Sequence, residues 1–309
     1  MAVHLFPGQG SQAVGMGRDL YAAYPEVRAL YDRAVDLLDF DLREISFEGP
    51  EEKLQQTEIT QPALFVHSLA LDMLLKQQGI FPEATAGHSL GEYSAVVSAG
   101  AMDFEDALEV VKVRGAEMSR AGKQAGGAMA AVLGATDEQI KTLCEGSQSD
   151  GIVVPANLNA PGQVVLSGDR DAIDSAVESA RRMGLRRVVK LKVSGAFHSP
   201  LMSPARPALQ AALESAAIRD PQVPVYQNVT ATASRTAAEI RANLLEQLES
   251  PVRWEATMRQ LWLDGFREFR EVGSGKVLRG LNRRILPEAE TLNLSSSLEM
   301  GKLGVPTAG

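Results

Sequence analysis

The chain has 309 residues, of which 45 % are hydrophobic and 23 % charged, a balance that argues against a disordered or collagen-like protein. Its 39 acidic and 31 basic residues give a net charge of −8, which argues against nucleic acid or an anionic membrane as the main partner. The single cysteine, Cys144, cannot form an internal disulfide, and no Cys/His cluster has zinc-ligand spacing. No signal peptide or bilayer-spanning segment is recognisable, so we expect a cytoplasmic, metal-free protein of about one and a half domains.

The first 127 residues alternate strand and helix patterns. We predict strands at 3–6 and 84–86, amphipathic helices over most of the stretch before residue 80, and helices from the turn at Gly87 to about 99 and at 104–120. This alternation indicates a mostly parallel α/β sheet.

Residues 128–194 have a different rhythm, with predicted strands at 129–133, 153–157, 164–167 and 187–193 and helices at 136–145 and 169–183. Thr136, followed by Gln139, is a candidate helix cap. The order βαββαβ is typical of a ferredoxin-like unit. We therefore predict a ferredoxin-like subdomain at 128–194 inserted into a larger α/β domain.

The chain then returns to the larger domain, which we assign to 1–127 and 195–299. Further elements are expected as helices at 201–217, 237–249, 252–264 and 274–284 and strands at 223–227 and 266–272. Residues 300–309 contain three glycines and one proline and are expected to form a flexible tail.

The sharpest local motif is Gly87-His88-Ser89-Leu90-Gly91, a G-x-S-x-G between a short strand and a helix. In this context the serine lies on a strained corner, exposed at a helix N-terminus, as a nucleophile requires. The alternative is a tight turn with a helix-capping serine. The strand–turn–helix context favours the nucleophile.

A serine nucleophile needs a base, and the chain has four histidines. His4 lies in the first strand, and His67 is interpreted as a hydrogen-bonded core histidine. His88 is adjacent to Ser89, and neighbouring side chains on a sharp turn point apart. Elimination favours His198, in the loop where the chain rejoins the larger domain. The order of serine before histidine is that of α/β hydrolases, so we expect a hydrolase-like larger domain, although the inserted unit is foreign to that fold.

Two further features have alternative interpretations. Arg114 lies in an apolar stretch of its helix and is either a surface arginine or a fork for a substrate carboxylate. The loop 8–13 fits G-x-G-x-x-A after a strand, but Asp32 lies inside a predicted helix rather than at a strand end, which argues against a dinucleotide site. Gln9, between two glycines, is instead a candidate backbone donor to an oxyanion.

Several separated motifs occur along the chain. They are Phe6-Pro7-Gly8-Gln9-Gly10-Ser11-Gln12, Thr60-Gln61-Pro62-Ala63-Leu64, Gly87-His88-Ser89-Leu90-Gly91-Glu92-Tyr93, Arg114-Gly115, Asn157-Leu158-Asn159-Ala160-Pro161-Gly162-Gln163, Gly195-Ala196-Phe197-His198-Ser199, Gln227-Asn228-Val229 and Glu271-Val272-Gly273. Together, over residues 3–296, they resemble the malonyl-CoA:acyl carrier protein transacylases and the related acyltransferase domains of fatty-acid and polyketide synthases.

The resemblance implies a Ser89–His198 dyad without a carboxylate third member, its imidazole oriented by the backbone carbonyl of Gln247. It implies an oxyanion hole formed by the backbone N–H groups of Gln9 and Leu90, and a malonyl carboxylate bound by Arg114. The implied reaction passes through a malonyl-serine ester with ping-pong kinetics, uses the CoA thioester as substrate and needs no metal or other cofactor.

The resemblance also implies an acyl and pantetheine pocket. Its lining residues would be Gln61, His88, Asn159 and Gln163. Phe197, just before His198, is similar to malonyl-selective members, whereas methylmalonyl-selective domains commonly have serine there. This predicts a small acyl pocket.

The implied partner is an acyl carrier protein, whose usual acidity raises the question of which surface it meets. Two groups of basic residues are candidate docking patches, the alternative being an ordinary solvated surface. They are Arg181, Arg182, Arg186, Arg187, Lys190 and Lys192, and then Arg279, Arg283 and Arg284. We expect a monomer, with no nucleic-acid or membrane partner.

Competing interpretations remain open from the sequence. A free-standing acyltransferase or an acyl hydrolase serving a polyketide synthase would share the same residues. A catalytically dead binding module and a dinucleotide-dependent oxidoreductase are less favoured, the first because Ser89, His198 and Arg114 are all present, the second because of the position of Asp32.

Overall fold

The structure is a computed structural model that describes residues 2–193, 195–301 and 303. The strands in this part of the chain are β1 (Ala2–Phe6), β2 (Ala84–Gly87), β3 (Ala128–Leu133), β4 (Val153–Ala160), β5 (Gln163–Gly168), β6 (Arg187–Lys190), β7 (Val225–Tyr226), β8 (Ala233–Ser234), β9 (Glu268–Val272) and β10 (Glu290–Leu294). The α-helices are α1 (Arg18–Ala23), α2 (Pro25–Leu37), α3 (Leu42–Glu48), α4 (Glu51–Leu54), α5 (Thr57–Gln77), α6 (Gly91–Ser98), α7 (Phe104–Ala125), α8 (Asp137–Gly146), α9 (Arg170–Arg182), α10 (Arg206–Ser215), α11 (Ala237–Glu246), α12 (Trp254–Leu263), α13 (Val277–Ile285) and α14 (Ser297–Gly301), with 3₁₀ turns at Gln148–Asp150 and Pro200–Ala205.

The larger sheet has six strands in the order β10-β9-β1-β2-β7-β8. Its strands run parallel except β8, which pairs antiparallel with β7 at one edge. The prediction of a mostly parallel α/β sheet is therefore confirmed. The sequence pattern missed β8 and β10, which are short strands at the two edges.

Helices cover both faces of this sheet, which explains why β1 is buried along its whole length. Val3 and Leu5 pack in a cluster with Trp254 of α12. His4, on the opposite face, hydrogen-bonds Asp72 of α5, with 2.8 Å between Nδ1 and Oδ1. Successive side chains of β1 point to opposite faces of the sheet, so this strand contributes to the apolar layers on both sides.

The smaller sheet is antiparallel, with the strand order β4-β5-β3-β6. Helices α8 and α9 pack against it around Ile140 and Val177. Thr136 caps α8 with Gln139 in a reciprocal capping box, as the sequence predicts. A separate antiparallel sheet of this kind is what the βαββαβ pattern anticipated.

Several element bounds differ from the prediction. Strand β6 ends at Lys190 rather than Val193, and the segment predicted as one helix from 201 begins as a 3₁₀ turn before α10. Of the expected tail, Met300 is fully buried at the end of α14, while 302 and 304–309 lie outside the described residues. No helix in the described part of the chain is long and apolar enough to cross a bilayer.

The carboxyl ends of the parallel strands lie at one edge of the larger sheet, where α/β proteins commonly bind ligands. Gln9 follows β1, Ser89 follows β2 and Asn228 follows β7. The smaller sheet reaches this edge through the bridge between Asn157 and Val252. The site described next lies between the two sheets.

Candidate active site

Ser89 lies at the corner between β2 and α6, with a positive φ of 52°. A Cβ on Gly87 would overlap the carbonyl of Gly91, and a Cβ on Gly91 would overlap the carbonyl oxygen of Phe6. Both glycines of the motif are therefore required by the close approach of neighbouring backbone. The corner carries the strain that a nucleophile elbow stores.

Ser89 and His198 are in direct contact, with 2.7 Å between Oγ and Nε2. His198 Nδ1 lies 2.9 Å from the backbone carbonyl oxygen of Gln247. Because a carbonyl only accepts, the proton of the neutral ring resides on Nδ1, and Nε2 is left to accept the serine proton. Burial, and then the charge of Arg114, lower the pKa of His198 to about 3, so the ring is neutral at pH 7.

Arg114 is a buried cation, only 1 % exposed, so the surface interpretation is wrong. Its guanidinium donates to the amide oxygens of Gln61 (2.7 Å) and Gln247 (2.8 Å) and to Ser89 Oγ (3.1 Å), and it lies 5.3 Å from the centroid of the Tyr93 ring. It forms no ion pair with any acid in the described residues. A buried cation held by neutral amides is arranged to receive an anion.

A small cavity of about 100 Å³ opens beside the serine. It is lined by Gln9, Gln61, His88, Ser89, Leu90, Arg114, Met118, Met129, Asn157, Leu191, Val193, Phe197 and His198. The polar reacting groups thus face apolar side chains, several of them from the smaller sheet or the segment after it.

The remaining residues predicted for the pocket are only partly brought together. His88 lines the cavity, and its Nε2 lies 2.8 Å from Asn159 Oδ1 while its ring packs near Trp254. Gln163 instead lies at the far end of the β4–β5 hairpin, where Arg284 donates to its Oε1 at 3.3 Å. The structure does not bring Gln163 to the cavity.

The other two histidines lie in the core, outside the cavity. His4 is paired with Asp72, as described above. His67 is fully buried in the core, as the sequence predicts. No group of three or more potential metal ligands is assembled within the described part of the chain.

The side-chain contacts of three residues of the site, Gln247, Asn228 and Glu92, escaped the sequence analysis. The side chain of Gln247, and not only its carbonyl, contacts both Arg114 and the backbone oxygen of Ser89. Asn228 and Glu92 form a buried layer beneath the serine. Both occur in motifs of the resemblance, but nothing in a local pattern shows what an amide or acid contacts more than a hundred residues away.

A serine–histidine pair beside a buried guanidinium, at the edge of a parallel sheet, is the site of an enzyme that forms an acyl ester on serine. Residues 3–279 match the acyl transferase domain family. The chain belongs to this family of acyltransferases.

More particularly, the chain is similar to the malonyl CoA-acyl carrier protein transacylase of Bacillus subtilis, with 44 % identity over 94 % of this chain and 92 % of that protein. The crystal structure of the malonyl-CoA:acyl carrier protein transacylase from Xanthomonas oryzae pv. oryzae superposes with a TM-score of 0.94 at 40 % identity, covering 98 % of this chain and 96 % of that one. A malonyl-transacylase in complex with a type II polyketide synthase acyl-carrier protein gives a TM-score of 0.93 at 38 % identity, covering 97 % and 98 %. The resemblance seen in the motifs is confirmed.

Proposed function

We propose that this protein transfers the malonyl group of malonyl-CoA to the phosphopantetheine thiol of an acyl carrier protein, through a malonyl ester of Ser89, and so feeds fatty-acid synthesis. The observation that carries the proposal is the position of Ser89 Oγ, 2.7 Å from His198 Nε2 and 3.1 Å from Arg114 Nη2. One neighbour accepts the proton of the nucleophile, and the other is a cation suited to the free carboxylate of a malonyl group.

In the first half-reaction, Nε2 of His198 takes the Ser89 proton as Oγ attacks the thioester carbon. We propose that the oxyanion that forms is bound by the backbone N–H groups of Gln9 and Leu90, two residues that line the cavity with Ser89. Loss of one such donor typically costs about 3–4 kcal/mol. The carbon–sulfur bond then breaks, the CoA thiolate takes the proton from Nε2, and the malonyl-serine ester remains.

In the second half-reaction, the carrier thiol gives its proton to Nε2 of His198 and its sulfur attacks the ester carbon. The carbon–oxygen bond to Ser89 breaks, Oγ recovers the proton, and malonyl-carrier leaves. The two substrates therefore use one site in turn, with ping-pong kinetics. Acyl exchange changes no oxidation state and so needs no redox cofactor, and we propose that no metal takes part.

Selectivity for malonyl follows from burial of the arginine and from the size of the cavity. An acetyl group would leave Arg114 without an anion, whereas a malonyl carboxylate offers it two acceptor oxygens. Phe197 lines the same small cavity, and we propose that it limits substitution at the central carbon of the substrate. His88, oriented by Asn159, and the amide of Gln61 would border the acyl and pantetheine arm.

The carrier is proposed to dock on the arginine-rich end of the smaller sheet. Arg186 and Arg187 line one cavity with Arg284 of α13, so the two basic groups predicted from the sequence meet there. Val189 on β6 is exposed, and Leu191, just after β6, is exposed and lines the cavity beside Ser89. That relation suits an acidic carrier whose arm extends along β6 to the serine.

We further propose that 128–194 is a ferredoxin-like unit inserted into a hydrolase-like domain formed by 1–127 and 195–299. The antiparallel order β4-β5-β3-β6 with its two packed helices supports this assignment. The proposal of a cytoplasmic monomer rests on the sequence alone.

The test is the mass of the intact protein after a brief incubation with malonyl-CoA. We expect a malonyl-sized gain, absent in Ser89→Ala and weak with acetyl-CoA. Addition of holo acyl carrier protein should remove the adduct and yield malonyl-carrier. Free malonate in its place would indicate a hydrolase, and a malonyl adduct persisting in Ser89→Ala would refute the assigned nucleophile.

A further inference from the structure

The backbone conformation of Ser89 requires contacts beyond the space that Gly87 and Gly91 leave at the corner. Ser89 is a non-glycine residue in the left-handed region, at φ 52°, and such a conformation persists only where its surroundings enforce it. The direction of Oγ toward His198 depends on that backbone conformation. The groups that hold the peptide units leading into Ser89 therefore help to direct the nucleophile.

One side-chain amide clamps the two consecutive peptide units that lead into Ser89, Gly87–His88 and His88–Ser89. Oδ1 of Asn228 accepts from the Ser89 N–H at 2.7 Å, and Nδ2 of Asn228 donates to the carbonyl oxygen of Gly87 at 2.6 Å. Asn228 is fully buried, so water does not compete for these bonds. The amide is thus a bridge across the corner that the serine occupies.

The clamp is itself held by an acid on the far side of the corner. Glu92, in the first turn of α6, accepts from the backbone N–H of Asn228 at 2.6 Å and from Nε2 of Gln227 at 3.0 Å. Glu92 is fully buried, and it forms no ion pair with a cation in the described residues. These two hydrogen bonds fix the backbone of Asn228 beside the corner.

We infer that Glu92 is a positioning residue for the transferase reaction, acting through Asn228 to fix the peptide units that aim Ser89 Oγ at His198. It touches neither substrate nor the reacting atoms. Both carboxylate oxygens accept from N–H donors, an arrangement that no neutral side chain of the same shape reproduces. The inference depends on the proposed function only in that its test uses malonyl-CoA as the substrate.

The informative variant is Glu92→Gln, because a glutamine turned either way directs its own NH₂ at one of the two N–H donors. Glu271 supplies a matched control. It is also a fully buried acid, and it accepts from the backbone N–H groups of Leu278 and Arg279 at 2.9 and 2.8 Å, away from the serine. Glu271→Gln thus makes the same chemical change in a site without contact to the cavity.

We expect Glu92→Gln to lower the limiting rate of Ser89 acylation by malonyl-CoA roughly tenfold or more, with the half-saturating concentration little changed. Asn228→Ala should cause a similar loss, and Glu92→Gln added to Asn228→Ala should cause almost no further loss, since the acid acts through the amide. Glu271→Gln should acylate like the unaltered protein. Rates are referred to the folded fraction measured by circular dichroism, with Glu92→Asp as a second variant if the glutamine does not fold.

The inference is overturned if Glu92→Gln acylates like Glu271→Gln, or if the losses from Glu92→Gln and Asn228→Ala multiply in the double variant. Sulfonylation of Ser89 by phenylmethylsulfonyl fluoride, followed by intact mass, measures the reactivity of the serine without malonyl-CoA. It therefore tests the positioning role of Glu92 separately from the proposed function. Failure of the unaltered protein to react with malonyl-CoA refutes the proposed function. The sulfonylation rates of the same variants then still decide whether Glu92 positions the serine.

Discussion

The guanidinium of Arg114 donates a hydrogen bond to the oxygen of Ser89, with 3.1 Å between Nη2 and Oγ. A cation that touches the nucleophile before substrate binds also helps to keep the His198 ring neutral, because its charge lowers the pKa of that ring. Gln61 and Gln247 hold the guanidinium through their amide oxygens. The same group is thus placed both to maintain the base and to receive a substrate anion.

Replacement of this cation should alter the choice of acyl group more than the chemistry. Arg114→Ala removes two charge-assisted hydrogen bonds to the malonyl carboxylate, each worth about 1.5–3 kcal/mol, so kcat/KM for malonyl-CoA should fall roughly 10²–10⁴-fold. Acetyl transfer should change far less. Acylation rates with both thioesters measure this, with Arg120→Ala as control, since Arg120 is exposed on the same helix and pairs with Glu117. An unchanged malonyl preference in Arg114→Ala would refute the role of the arginine.

Two glycines should respond in opposite directions to the same substitution. In Gly91→Ala the new methyl group would overlap the carbonyl oxygen of Phe6, so the free energy of unfolding should fall by about 1–3 kcal/mol or more. Gly280 of α13 has open space around its Cα, and Gly280→Ala should raise that energy by about 1 kcal/mol through helix propensity. Urea unfolding measures both, and equal effects would contradict the crowding argument at the corner.

Acid should destabilise the protein through its buried histidines. Burial lowers the pKa of His198 to about 3, that of His67 to about 4, and that of His88 in the same direction. Below pH 6.5 these imidazoles bind protons in the unfolded chain but stay neutral in the folded protein. The free energy of unfolding therefore falls as the pH falls. Glu92 and Glu271 oppose this, because burial raises the pKa of each acid, but they are fewer.

The corresponding measurement is the urea midpoint, which we expect to be lower at pH 5 than at pH 7. His67→Leu removes one of the buried rings without altering the cavity, so the difference between the two midpoints should shrink in that variant. A midpoint that rises on acidification would mean that the buried acids dominate the proton balance.

Charge reversal should distinguish the docking surface from an ordinary solvated one. The change Arg186→Glu with Arg187→Glu should lower kcat/KM for transfer from malonyl-enzyme to the carrier by about tenfold at low salt, with a smaller effect at high salt. The control is Arg33→Glu with Lys53→Glu, which makes the same change in net charge on exposed positions of α2 and α4. Equal transfer rates for the two variants would remove the patch from the docking surface.

Sequence patterns predict those features of this protein that depend on neighbouring residues. The G-x-S-x-G motif between a strand and a helix predicts the corner at Ser89, because backbone crowding dictates its glycines. The alternating pattern predicts the parallel sheet, and elimination among four histidines selects His198. The edge strands β8 and β10 were missed because β8 has only two residues and β10 buries only Thr291 and Leu294, so neither has a clear hydrophobic pattern.

Contacts between groups far apart in the sequence become evident in the folded structure alone. Arg114 changed from a candidate surface residue to a buried cation because α7 directs it at amides from α5 and the end of α11. Gln163, predicted for the pocket, lies instead with Arg284 because the β4–β5 hairpin carries it away from the serine. These outcomes depend on contacts between residues far apart in sequence, whose partners are set by how the sheets and helices pack, and local patterns do not record that packing.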